Sequence, residues 1–195
     1  MWTFLFLFFV FVAGLALWEY AGRHLIRGIG SVSYIVLERY KEYEIREYDS
    51  FISAEVAVSG DIEAAMNDGF SILSAYFSRL GGGDAPVPET IPGTSMHTVA
   101  FALPEGFADG NLPEPDDVRI TFLVVPGRIA AVLRFRGIPS ERRIASKETL
   151  LRKLLKRDHH EPVEEGVSKA EFVLLAPPHS MPIAVTNEII IGIEE

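Results

Sequence analysis

The sequence predicts an α+β domain: an antiparallel sheet, curved or closed into a barrel, with two helices packed on it and an apolar helix ahead of it. Three observations predict this. Runs of period-two hydrophobicity outnumber runs of helical period. Turn residues join neighbouring runs over hairpin distances, which implies antiparallel pairing. The first 18 residues carry no charged side chain.

That leading run, MWTFLFLFFVFVAGLALW, holds five of the 13 phenylalanines. Eighteen helical residues reach roughly 27 Å, close to a hydrocarbon core of about 30 Å. Trp2 and Trp18 bracket the run where indoles favour the interfaces. The expectation is a transmembrane anchor over 1–18. The rival is a cleaved signal peptide, with Gly14 and Ala16 before the cut and export of the remainder; no Lys or Arg precedes the run, and it is longer than a usual signal core. Arg23 and Arg27 follow the run, so the positive-inside rule places the rest of a single-pass chain in the cytoplasm. Residues 19–33, with Gly22, Gly28 and Gly30, read as a juxtamembrane linker.

The domain then occupies 34–195. Tyr34 to Tyr48 alternates apolar and charged residues as a half-buried strand does, with Tyr43, Ile45 and Glu47 on one face and Glu44, Arg46 and Tyr48 on the other. Phe51 to Val58 continues the strand character. Gly60-Asp61 opens a helix whose stripe is Ile62, Met66, Phe70, Leu73, Phe77 and Leu80. Gly81-Gly82-Gly83 ends it. Residues 84–95 and 104–117 read as loops around a strand from Thr98 to Leu103. Val118 to Val125 and Ile129 to Phe135 flank Pro126-Gly127, a hairpin signal. Pro139-Ser140 starts a second helix that turns Leu150, Leu151, Leu154 and Leu155 inward. Glu171 to Ala176 and Glu188 to Ile193 are the last strands, joined by a loop with Pro177-Pro178. The order of strands, helix and strands occurs twice, which suggests two similar halves.

Composition narrows the chemistry. There are 27 acidic and 18 basic side chains, a formal charge of -9, which does not suit a nucleic-acid binder. Absence of cysteine excludes disulfides, thiolate catalysis and cysteine-ligated metals. The triple glycine follows a helix, so it is not a phosphate loop. His159-His160 reads as a solvated helix end and His97 as a partly buried side chain at a strand. No metal ligand set and no catalytic constellation emerges, so a binding module is expected and not an enzyme. The second helix departs from the acidic whole: residues 139–157 carry seven basic and two acidic side chains. Beside a membrane anchor, that face suits anionic lipid headgroups; otherwise it is a solvated surface.

Tyr43-Glu44-Ile45-Arg46-Glu47-Tyr48 resembles the YEIRxY opening of the SOUL haem-binding family. The resemblance continues through Ala54-Glu55-Val56, the first helix, Glu89 to Ser95, Phe101 to Pro104, Leu112 to Pro115, Ala131 to Gly137, Pro177-Pro178 and Asn187-Glu188-Ile189. It covers about residues 34–194. It implies a distorted antiparallel barrel of two similar halves with two helices. It also implies a tetrapyrrole held between the Met66, Phe70, Leu73 face and the loop carrying His179 and Met181, the loop between Pro178 and Pro182. Glu47 stands where some members have histidine, and Gly93 where methionine is usual. Burial of a macrocycle contributes by area even without an axial ligand, so the sequence permits haem or another flat apolar ligand without requiring it. The alternative is a structural or protein-interaction module that kept the fold and lost the ligand.

Overall fold

The computed structural model describes residues 32–79, 88–91, 96–103, 112–163, 170–175 and 185–194. The expected anchor Met1 to Trp18, the glycine run 81–83 and the loop with His179 and Met181 lie outside the described residues. No helix among the described residues is long and apolar enough to cross a membrane.

The elements in chain order are β1 (Tyr34–Arg39), β2 (Glu44–Tyr48), β3 (Phe51–Ser59), α1 (Ile62–Arg79), β4 (Pro88–Ile91), β5 (Met96–Ala102), β6 (Thr121–Val125), β7 (Arg128–Arg136), α2 (Glu141–Arg157), β8 (Glu171–Leu174) and β9 (Thr186–Gly192). The nine strands among the described residues join one antiparallel sheet in the order β1-β2-β7-β9-β8-β4-β5-β3-β6. The α+β class and antiparallel pairing agree with the sequence. The closed barrel does not: β1 and β6 end the sheet without pairing to each other.

The order carries an internal two-fold. Exchanging β2 with β6, β3 with β7, β4 with β8 and β5 with β9 reverses the eight-strand list and leaves it unchanged, and the exchange carries α1 onto α2. The pseudo-axis passes between β4 and β8, where Glu89 faces Val173 and Thr90 faces Phe172. Among the described strands, β1 alone has no counterpart.

Three expectations about strands are corrected. Tyr34 to Tyr48 is two strands, because the chain reverses at residues 40–43: the Tyr40 amide donates to the Tyr43 carbonyl at 2.9 Å and the two rings stack at 4.5 Å. The predicted loop at 84–95 contains β4, four residues long and too short for periodicity to register. It opens on Pro88, and a first position tolerates proline's missing donor. Pro126-Gly127 turns the chain, yet β6 and β7 do not form a hairpin. β6 pairs with β3, while β7 pairs with β2 and β9. Each half thus contributes its first strand to the other half's sheet. The exchange brings Phe122 of β6 onto the cluster under α1, and Tyr43, just before β2, and Ile45, within it, into the one under α2.

Both helices start as read. The Asp61 carboxylate accepts from the Ala64 amide at 2.8 Å, and the Ser140 hydroxyl from the Arg143 amide at 3.4 Å. α2 closes with His159 in the left-handed region at φ 64° and the His160 amide donating to the Leu155 carbonyl. α1 packs on β3 and β5, and α2 on β7 and β9. Two cores result. One holds Ala54, Val56, Leu73, Tyr76, Phe77, Val99 and Phe101; the other holds Ile45, Leu133, Leu151, Leu155, Phe172, Ile189 and Ile191.

α1 reaches its sheet through a glycine. A Cβ at Gly69 would meet Val99 carbons at 2.5 Å. Gly69→Ala should therefore destabilise the domain. The helix gains about 1 kcal/mol in propensity, but overpacking a filled core costs about 1–3 kcal/mol. Denaturant titration should show a lower midpoint, and adding Val99→Ala should give less than the sum of the two single losses, because it removes the Cγ1 and Cγ2 contacts and leaves only the Cβ contact.

Candidate functional site

The α1 residues expected to meet a ligand separate by depth. Leu73 is fully buried against the sheet and supports the helix from beneath. Met66 and Phe70 are half-buried one turn apart on the same flank. Phe70 stands edge-on to Phe101 with centroids 5.6 Å apart, and Phe77 also abuts Phe101 at 5.5 Å. Met66 packs on the other core, beside Ile62. The flank thus lies where α1 passes from one half to the other. Ser74, a turn beyond Phe70, keeps a buried hydroxyl with no hydrogen-bond partner among the described residues. His179 and Met181 lie outside the described residues.

Described histidines do not border this flank as free ligands. His97 is buried on β5, with Nε2 3.1 Å from the Gly60 carbonyl. His160 Nε2 lies 2.9 Å from the Tyr40 hydroxyl, so the reading of His159-His160 as a solvated helix end holds only for exposed His159. Glu47 is exposed on β2. Met66 and Phe70 thus give this flank an apolar surface among the described residues.

A charged layer lies on the sheet face turned away from α2. Arg46, 2% exposed, donates through Nη1 and Nη2 to the two Glu188 oxygens at 3.1 and 3.0 Å, and its Cζ lies 4.3 Å from the Tyr34 ring centroid. Glu44 and Arg134 extend the pair, and Arg128 binds Glu171 through both nitrogens alongside. Burial opposes the charge on Arg46, but the hydrogen bonds and charge of Glu188 outweigh it and raise its pKa. Sequence reading put Glu44, Arg46 and Tyr48 on one face but missed Glu188 of β9, which reaches Arg46 across β7, and Glu171 of β8, which meets Arg128. The available signal was Glu188 directly before the apolar run Ile189-Ile190-Ile191.

A second polar junction ties the β1–β2 turn to the end of α2. The Tyr43 hydroxyl donates to Asp158 Oδ2 at 2.9 Å, and Arg157 holds the same carboxylate at 2.7 Å. Arg157 draws Asp158 down to about 2 against the opposing effect of burial, and the Tyr43 hydrogen bond adds to the lowering. Burial, then that same carboxylate, pushes the Tyr43 phenol up.

The profile of the SOUL heme-binding protein family matches residues 29–192. No curated protein matches the sequence. Among solved structures, the chain is similar to the EcmrR C-terminal domain, at TM-score 0.59 and 9% identity over 79% of this chain and 98% of that one. It is also similar to an uncharacterized conserved protein from Listeria innocua, at TM-score 0.57 and 14% identity over 79% and 93%. A hydrolase from the same organism aligns at TM-score 0.55 and 12% identity over 81% and 94%. At these identities the likeness is one of fold.

Two tests follow from the polar contacts. Glu188→Ala leaves a buried guanidinium facing no carboxylate on β9 and should cost about 3–5 kcal/mol. Arg46→Met combined with Glu188→Leu should lose much less, as read by denaturant unfolding. Asp158 has a folded pKa below its unfolded value, so its contribution is present above about pH 4 and disappears as pH falls toward about 2. Tyr43→Phe should move the Asp158 midpoint upward in a carboxyl NMR titration.

The matched span covers most of the chain and contains every described strand and helix, and on that ground the chain belongs to the SOUL heme-binding protein family.

Proposed function

We propose that this chain is a membrane-anchored tetrapyrrole-binding domain that holds haem, or a similar flat apolar ligand, along the Met66–Phe70 flank of α1. The family supports the ligand class. The observation that carries the position is the pair of large apolar side chains left half-buried side by side above a buried Leu73. Water covers that surface unless another group does, and burying it contributes about 25 cal/mol per Å². Fixed by Phe101 behind it, the Phe70 ring would need little ordering on binding.

In this reading Met66 and Phe70 supply apolar contact and orientation, and His179, with Met181 beside it, is the ligand candidate from the facing loop. Haem, when bound, supplies a redox-active iron and a visible chromophore. The proposal is of a binding module, not an enzyme. On the opposite sheet face, Arg46, Arg128 and Arg134 are matched by Glu44, Glu171 and Glu188, so that layer is occupied in holding strands together. The anchored state rests on Met1 to Trp18, with residues 19–33 as a tether and residues 34–195 in the cytoplasm.

Haemin titration of the full-length chain, followed at the Soret band, should saturate. Phe70→Ala should weaken binding while costing only about 1–2 kcal/mol of stability, since the ring is half-buried. His179→Ala should shift the Soret maximum without moving the melting temperature of the ligand-free chain. Absence of saturable binding in folded protein would instead support an interaction module that has lost the ligand. Full-length uncleaved chain should sediment with membranes, and a mature N-terminus near residue 17 would replace the anchor with a signal peptide.

A further inference from the structure

α2 has two unlike sides. Ile144, Leu151, Leu154 and Leu155 are buried toward the sheet. The exposed side carries Arg142, Arg143, Lys153, Lys156 and Arg157 against one carboxylate, Glu141. Several of these cations are engaged within the domain: Arg143 donates to the Ile138 carbonyl, and Arg157 pairs with Asp158 and, at 3.8 Å, with Glu42. Arg152, on the flank, pairs with Glu148. No carboxylate among the described residues pairs with Arg142, Lys153 or Lys156. At 100° per residue these three fall along one line of the helix. Leu150 stays 39% exposed, and with Leu154 it floors a shallow groove rimmed by Lys153, Lys156 and Arg157.

We infer that this outward face of α2 lies against an anionic bilayer and sets the domain's orientation there. Cations around an apolar strip, three of them with no carboxylate partner among the described residues, match the headgroup boundary, where phosphate and carboxylate groups sit above acyl chains. Charge makes the contact directional: the whole chain carries -9, so an anionic surface attracts this helix and repels the domain's acidic remainder. The inference rests on the anchored reading for its strength. Residues 19–33 span at most about 50 Å, so the anchor turns a weak patch–lipid contact into an intramolecular one.

The cysteine-free chain allows a direct test. Ser146→Cys places a single fluorophore on the exposed face beside Leu150, and Asn67→Cys places one on exposed α1 as the control. Full-length chain is mixed with phosphatidylcholine vesicles, or with vesicles also containing phosphatidylserine, each carrying a lipid-borne quencher. Phosphatidylserine should raise quenching at position 146 at least about twofold and leave position 67 unchanged. The rise should vanish at about 1 M salt, where the Debye length is about 3 Å, and in the Lys153→Glu, Lys156→Glu variant. Equal quenching at position 146 in both vesicle types, an equal rise at both positions, or full reversal by millimolar inorganic phosphate would each overturn the inference. Flotation with neutral vesicles reports the anchor separately. A chain that ignores neutral vesicles but is quenched at position 146 by anionic ones defeats the anchor and keeps the lipid-facing helix.

Discussion

Neither half of this domain has a complete sheet of its own. β2 leaves the half that contains β3 and pairs with β7; β6 leaves the half that contains β7 and pairs with β3. Those two pairings, with the β4–β8 contact at the pseudo-axis, couple the halves into a single sheet. They also join residues distant in sequence, so loop closure must precede the reward of burial, which slows folding. The consequence for stability is cooperative: a defect in β6 acts on the core under α1, though β6 lies next to β7 in the chain.

The two faces of the sheet are built on different principles. Beneath the helices the contacts are aliphatic and aromatic, with Phe101, Phe172, Leu73 and Leu151 fully covered. On the opposite face, Ala130, Val132 and Ile190 share the surface with buried charges. Arg46 is tolerated there because Glu188 meets it with two hydrogen bonds, and Arg134 satisfies the same carboxylate from β7. A buried pair of this kind adds little net stability over an apolar pair but punishes any register in which one partner is absent. Register is a real hazard here, since a one-residue slip would exchange the two faces of the strand that slips.

α1 is where the two cores meet. Ile62 and Met66 contact the core of the α2 half, while Ala65, Leu73, Tyr76 and Phe77 belong to its own. Gly69 lets the helix descend onto Val99, and that close approach leaves Met66 and Phe70 on the rising flank. The same packing that orders the helix therefore creates the half-covered apolar strip on which the ligand proposal stands. α2, mounted at the symmetry-related place, carries no matching glycine and presents cations outward instead. One architecture thus offers an apolar flank and a basic face at related positions.

The class of fold was legible because its signals are local. Period-two runs, the α1 stripe from Ile62 to Phe77, the Ser140 cap and the alternation at Tyr43 to Tyr48 each depend on a few consecutive residues and on backbone geometry. The ordered motifs from Tyr43 to Ile189 carried the family in the same way. What stayed hidden was decided by distant pairing. Pro126-Gly127 marks a turn but not which strands it joins, since a turn constrains four residues while the partners of β6 and β7 are chosen by burial across the whole sheet. β4 has four residues, too few to show a period, and exists because β5 and β8 offer their edges to it. The Met66–Phe70–Leu73 stripe was visible, but its division into a buried Leu73 and a half-covered pair was set by how closely Gly69 meets Val99. Glu188 and Arg46 lie 142 positions apart. No local pattern pairs them; the fold does, because a charge that must leave water is stable only where another strand brings its counter-charge within hydrogen-bond distance.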